Sequence, residues 1–360
     1  MTYMFEAKNS IIIFLSVLII TLAILNNSLG LQEGYKGRDK KMGYCFDAAF
    51  DSARNRLYVV AGIGGMHVFE VSHGYLNFVT TFYDESYYRN IKISGDRAFV
   101  ADAGRGLTVF DISGKIPVLK WKWKEKETET PGMGVHIEGN FAYLAVGVIN
   151  DIAKKPGLYI FDISHPDSPT LSGNCETKNA WDVWVSRKYA YVADFNDGLC
   201  VIDLSSVANP REVARVKWDE KDSCAEIIRG EDKYVYIAAG PTLGLVVINI
   251  EEPLKPKVIG RFKSSQKGCG EGLCIKDGIL YLANGNQENI EENGLYIIDV
   301  HTPSSPQVIS KCTFSDWVEG VCLAGNHVFI TNTHSGVRSI DVSNHKKPLI
   351  IDHFGPIKEE

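Results

Sequence analysis

One phrase returns seven times along this chain: a glycine, an apolar-rich stretch, then usually Asp and another apolar residue. The copies are GMHVFEVS from Gly65, GLTVFDIS from Gly106, GLYIFDIS from Gly157, GLCVIDLS from Gly198, GLVVINIE from Gly244, GLYIIDVH from Gly294 and GVRSIDVS from Gly336. Successive copies lie 41, 51, 41, 46, 50 and 42 residues apart. Self-similarity at this period marks an array in which each unit buries its apolar face against the next. The period constrains the fold strongly and says little about a ligand.

The fourth unit reads most clearly. Residues 181–185 (WDVWV) alternate as a strand, and Arg187-Lys188 make a tight turn. Residues 189–193 (YAYVA) form a second strand, 199–204 a third and 212–218 a fourth. β-branched and aromatic residues between Gly, Asn, Asp and Pro clusters are the local strand signal. A proline-bearing link follows the third strand, as in ISHPDSP, LSSVANP, IEEPLKP, VHTPSSP and VSNHKKP. Pro there suits a turn into an outer edge strand, where a missing N–H costs least. No segment of the body has a helical period. Four antiparallel strands repeated seven times predict an all-β, seven-bladed β-propeller. The expected blades span residues 44–82, 88–123, 133–174, 181–218, 224–263, 270–313 and 317–354. The aspartates that close the phrase (Asp111, Asp162, Asp203, Asp299, Asp341) read as turn residues bonding nearby N–H groups rather than as a site.

GLYIFDIS and GLCVIDLS, each after a YxA-type strand and before a proline link, resemble LVIVD repeats. The resemblance covers about residues 43–355. It implies a propeller of the kind found in bacterial and archaeal surface proteins, and binding rather than one particular chemistry. Glu70 and Asn249 depart from the repeated Asp without breaking the strand alternation.

Residues 11–25 are apolar except for Ser16 and Thr21, with Lys8 before and Ser28-Leu29-Gly30 after. Residues 1–30 therefore read as a signal peptide cleaved after Gly30 or, uncleaved, as an N-terminal membrane anchor. Either reading puts the body outside the cytoplasm, secreted or at the cell surface. Residues 31–43 read as a linker, 44–355 as the propeller and 356–360 as a tail. Net charge is −6 with no basic block, which argues against a nucleic-acid partner. Eight cysteines show no zinc spacing. Cys200, Cys274 and Cys322 read as buried thiols, and a Cys224–Cys269 bridge is open if the inner strands come close enough.

Candidate function concentrates at one end of the ring. The longer, more varied connections (residues 121–133, 148–156 and 284–293) fall on the face where the innermost strands begin, and loops on a rigid scaffold are where function sits. The first strands begin near Asp47, Asn90, His136, Asp182, Glu226, Glu271 and Glu319, and aromatics stand beside them. The ligand-binding candidates are Tyr88, Arg89, Asn90, His136, Trp181, Asp182, Glu226, Glu271, Trp317 and Glu319. Asp47, Asn90, Asp182, Glu226, Glu271 and Glu319 form an alternative oxygen-ligand set for Ca²⁺ or Mg²⁺. The competing reading is a hydrated ring whose carboxylates bond backbone N–H groups of a neighbouring blade. No cofactor is expected apart from that cation. No GxSxG elbow, phosphate loop or Ser/His/Asp spacing appears, although His136 is a possible general base. The expected function is a non-enzymatic binding or scaffold module contacting a protein or glycan. A metal-dependent, lactonase-like propeller hydrolase is the alternative.

Overall fold

The structure is a computed structural model that describes residues 42–123, 130–149, 155–217, 223–240, 244–263, 269–285 and 290–356. Seven four-stranded antiparallel sheets, each made of four consecutive strands, form the blades. Their strands run over residues 47–82, 88–123, 132–176, 182–216, 227–262, 269–313 and 318–354, matching the expected blades to within a few residues. A 3₁₀ turn, Ile290–Glu292, sits in the second-to-third-strand loop of blade six.

The local rule behind the repeated phrase is steric. In blade seven, Gly336 has φ +86, and a Cβ there would lie 2.1 Å from the Phe354 carbonyl oxygen of the outer strand. Gly65 of blade one meets the Phe82 carbonyl in the same way, at φ +84 and 2.1 Å. Only glycine allows the fourth strand to cross so close at positive φ. The apolar residues that follow fill the space between blades, where Val68, Val109, Ile160, Val201, Val247 and Ile297 are fully buried. The third and fourth strands then slip register by one residue at matching points, such as Val68/Phe69, Val201/Ile202 and Ser339/Ile340. Each such bulge bends the outer strand and increases its twist.

The phrase-closing aspartates do what turn residues do. Asp111, Asp162, Asp203, Asp299 and Asp341 each accept the N–H two residues on, at 2.7–2.9 Å. Asn249 accepts that of Glu251 at 2.8 Å, which is why the departure at this position is silent. Hydrogen bonds from Ser113, Ser164 and Ser205 hold Asp111, Asp162 and Asp203 below the usual carboxylate range.

Closure of the ring departs from expectation. The lack of strand alternation in residues 31–41 predicts that blades one and seven meet by side-chain packing alone. Those residues lie outside the described part, and every described blade supplies its own four strands. The joint nevertheless carries a main-chain bond, from Cys45 N–H to Thr333 O at 3.0 Å. Cys45 stands two residues before Asp47, as Tyr88 does before Asn90 and Ala225 before Ile227. Tyr88 pairs with Gly62 of blade one, and Ala225 with Phe195 of blade four, across ordinary joints. The closing joint thus repeats the contact used elsewhere in the ring. It is reinforced by Asp352, which accepts the Leu76 N–H at 2.8 Å, and by Phe354 against Phe69 and Phe78, with centroids 5.0 and 5.4 Å apart. Met42, read from sequence as linker, is buried in this seam.

Candidate functional site: the channel mouth

The ladder registers divide the mouth into two layers. Asp47, Asn90, Gly134, Asp182, Ile227 and Gly272 occupy one position, each opposite the matching residue of its second strand: Val60, Ala101, Ala145, Ala193, Ala238 and Ala283. Gly320 completes the layer, its N–H donated to Thr331 Oγ1 at 2.7 Å. One residue nearer the mouth, blades one to four carry Phe46, Arg89, Met133 and Trp181. Blades five to seven carry Glu226, Glu271 and Glu319. All seven of these line a single cavity of about 40 Å³, room for roughly three waters. The acids that wander by a residue in sequence therefore belong to different layers.

The deeper layer holds the ring together. Asp47 Oδ2 accepts Asn90 Nδ2 at 2.6 Å and the Ile91 N–H at 3.2 Å. Asn90 Oδ1 accepts the Val135 N–H at 3.0 Å, and Asp182 Oδ2 the Ile228 N–H at 3.1 Å. Each polar side chain thus caps the innermost strand of the next blade, always in the same direction round the ring. Two channel cations balance the two carboxylates. Lys92 Nζ lies 3.3 Å from Asp47 Oδ2, and Arg229 pairs with Asp182, whose side chain is wholly buried. This is the arrangement expected for carboxylates bonded to a neighbouring blade, and it commits Asp47, Asn90 and Asp182 to structural bonds. An Asp182→Ala change would leave the Arg229 guanidinium without its carboxylate.

The outer layer differs. Arg89 lies with its guanidinium carbon 4.8 Å over the Phe46 ring and 5.1 Å over the Trp181 ring, and Trp181 itself stacks on Phe195 with centroids 4.5 Å apart. On the opposite half, the Cys224 thiol donates to Glu226 Oε1 at 2.9 Å, and Glu226 also shares a hydrogen bond with Glu271. Tyr44 Oη donates to Glu319 Oε1 at 2.7 Å. Burial raises Glu226 above the usual carboxylate range, and it pushes Glu319 up to about 7 against the pull of Tyr44 and Arg89. Cys224 enters no disulfide among the described residues, and the Cys269 side chain, the other half of the bridge left open by the sequence, lies outside them. Cys200, Cys274 and Cys322 are likewise free.

The remaining candidates lie elsewhere. Tyr88 is fully buried in the joint between blades one and two, with its hydroxyl on Asp84 at 2.6 Å. His136 sits deeper in the channel, where burial and the nearby Arg229 and Lys92 charges depress it to about 3. A group held neutral that firmly is a poor proton acceptor at neutral pH. Trp317 packs against Gly285 and does not line the cavity. The polar ends of the second strands are also structural. Asp102 accepts the Tyr87 and Gly104 N–H groups, Asp194 accepts from Thr177, Asn179 and Arg215, and Asn284 donates to Glu292 O. Among the described residues no group of three or more His, Cys, Asp or Glu side chains is placed to hold a metal ion. Sequence reading missed Tyr44, Phe46 and Met133 at the mouth, and Lys92 and Arg229 in the channel. Aligning the seven first strands on their small second-strand partners would have exposed all but Tyr44.

The family model for the LVIVD repeat matches residues 87–120, 132–177, 178–217 and 289–313, in blades two, three, four and six. The chain thus carries LVIVD repeats within a seven-bladed propeller. No curated protein matches it. Among solved structures, the LVIVD propeller is similar to the computationally designed Ika8 protein, at 12% identity over 88% of this chain and 89% of that one, TM-score 0.59. It is similar to Sqt1 of Saccharomyces cerevisiae, at 11% identity over 88% of both chains, TM-score 0.61. It is also similar to a functionally unknown protein from Desulfotomaculum acetoxidans, at 8% identity over 86% of this chain and 95% of that one, TM-score 0.65. At these identities the likeness is one of fold.

Proposed function

We propose that this LVIVD propeller is a non-enzymatic binding module that works outside the cytoplasm and contacts a protein or glycan partner through the face bearing the channel mouth. One observation carries the reading. At the outermost register of the channel the repeat stops repeating: blades one to four present Phe46, Arg89, Met133 and Trp181, and blades five to seven present three glutamates. A packing requirement would impose similar residues on similar blades, as it does for the glycines and the turn aspartates. Aromatic and Arg side chains at a rim are the residue types that commonly anchor interfaces. The longest connections are also on this face: ten residues separate Val146 from Gly157 and ten separate Val216 from Ile227, against at most seven on the other face, as between Asp162 and Thr170. The apolar run at residues 11–25 supports export.

The experiment is retention of the purified propeller on isolated cell-envelope material, together with protease accessibility on intact cells. Retention that weakens in an Arg89→Ala, Trp181→Ala double variant supports the reading. A protein protected inside intact cells, or retention indifferent to both changes, overturns it. The second reading, a divalent-cation hydrolase, draws on the three glutamates that share the cavity. Metal analysis of the purified protein tests it, with stoichiometric Ca²⁺ or Mg²⁺ lost in Glu271→Gln as its required result.

A further inference from the structure

We propose that the corner of blade seven that faces blade six is an anion site, in which a small monovalent anion such as chloride lies between the Arg338 guanidinium and the Asn332 amide. The same corner recurs in other blades. Four residues before the phrase glycines Gly106, Gly198 and Gly336 stand Asp102, Asp194 and Asn332, at the mouth ends of their second strands. All three are wholly buried. In blade two, Asp102 Oδ1 accepts the Tyr87 and Gly104 N–H groups at 3.2 and 2.9 Å. In blade four, Asp194 accepts the Asn179 N–H at 2.7 Å and pairs with Arg215 at 2.6 Å. In blade seven an amide stands in place of the carboxylate, and neither its oxygen nor its nitrogen has a hydrogen-bond partner.

The acid is gone from this corner, but a cation is present. Arg338 stands opposite Ile330, two residues from Asn332 in the ladder, so the two side chains leave the sheet on the same face. Ile330 and Ile340 on that face pack into the joint with blade six. A diagonal of this kind is within reach of a long side chain. The guanidinium lies 4.9 Å over the Phe314 ring, and its Nη1 is buried without a hydrogen bond. No hydrogen bond or ion pair joins Arg338 to any described residue. Asp316 acts on it by charge but forms no ion pair with it. His353, its cross-strand neighbour, is turned instead to the Ser335 carbonyl, at 2.6 Å. Burial pulls Arg338 below the usual guanidinium range. Water would fill the hydrogen bonds of the amide, yet it brings no charge to a buried guanidinium. An anion takes the Arg338 and Asn332 N–H groups together, and it supplies the negative charge that Asp194 supplies to Arg215 in blade four. Asn332 has no exposed surface, so the ligand is a compact ion and not the end of a large molecule.

Thermal unfolding at constant ionic strength, with gluconate exchanged stepwise for chloride, tests this. The native chain should gain about 2 to 5 °C, saturating with chloride, since a ligand that binds only the folded state stabilises it. Asn332→Asp sets a carboxylate in the place of the anion, and Arg338→Gln removes the charge that holds it. Each change should abolish the chloride dependence. No saturable gain in the native chain overturns the inference, and so does a gain that persists in either variant. Crystals of the native chain grown in bromide decide the matter even where a variant fails to fold. An anomalous peak within about 3.5 Å of Arg338 Nη1 and Asn332 Nδ2 is the expected result, and a water there, or no peak, overturns the site. The mouth takes no part in either measurement, so the envelope-retention experiment stands or fails separately.

Discussion

Replacing Glu319 by Gln should change how the stability of the protein depends on pH. In the folded chain Glu319 is pushed up to about 7, chiefly by burial, from an ordinary value of 4.5. A carboxyl raised on folding contributes stability that is fully present below its unfolded value and is lost as pH rises through its folded value. The window is therefore pH 4.5 to 7. At about 1.4 kcal/mol per pKa unit the difference amounts to roughly 3 kcal/mol, and the half-open mouth reduces it to about 2. Glutamine is neutral throughout and can still accept the Tyr44 hydroxyl. Urea midpoints for the native chain and Glu319→Gln should be compared between pH 5 and 8. The variant's stability relative to the native chain should rise from pH 5 to about 7 and level off above that. Parallel pH profiles for the two proteins would refute the reasoning, because they would mean that Glu319 ionises as freely in the folded chain as in the unfolded one.

Three other outcomes follow from the same contacts. Asp182→Ala should destabilise by about 3 kcal/mol in urea, since it strands the Arg229 guanidinium and the Ile228 N–H, and Asp182→Asn should recover part of the loss. Gly336→Ala should cost about 3 kcal/mol in the same assay, because its Cβ would meet the Phe354 carbonyl at a positive φ, whereas Gly325→Ala, with nothing within 4 Å, should cost only its backbone strain. Native-state hydrogen exchange should find the Cys45 amide protected to a degree similar to that of Tyr88 and Ala225. Exchange of Cys45 orders of magnitude faster than those two would show the closing joint to be the weak point of the ring.

The fold was legible because its constraints repeat. A glycine that must pass under an outer strand, an Asp that closes a turn and a proline that enters an edge strand recur about every 40 to 50 residues, and repetition separates them from background. The mouth was legible only in part. The sequence places Arg89, Trp181 and the three glutamates at the right end of the right strands, but Asp47, Asn90 and Asp182 look the same as the glutamates until the ladder register puts them one residue deeper, on the N–H groups of the next blade. A one-residue offset reverses the side on which a strand residue lies, and strand starts are not defined that finely by composition. The channel cations were missed for the same reason. Lys92 and Arg229 read as ordinary charged positions unless their strands are aligned with each other. The closing joint misled because polar residues 31–41 carried the attention, while the working contacts came from Met42, Tyr44 and Cys45 just after them.

The central claim is that partners meet this propeller at the channel mouth. Site-specific photocrosslinking tests it most directly. A photoreactive residue placed at Phe46, on the mouth register, and another at Asn140, in the two-residue turn of the opposite face, would be activated in the presence of cell-envelope material. Adducts from position 46 and none from position 140 are the predicted result. Adducts from position 140 alone, or equally from both, would contradict it.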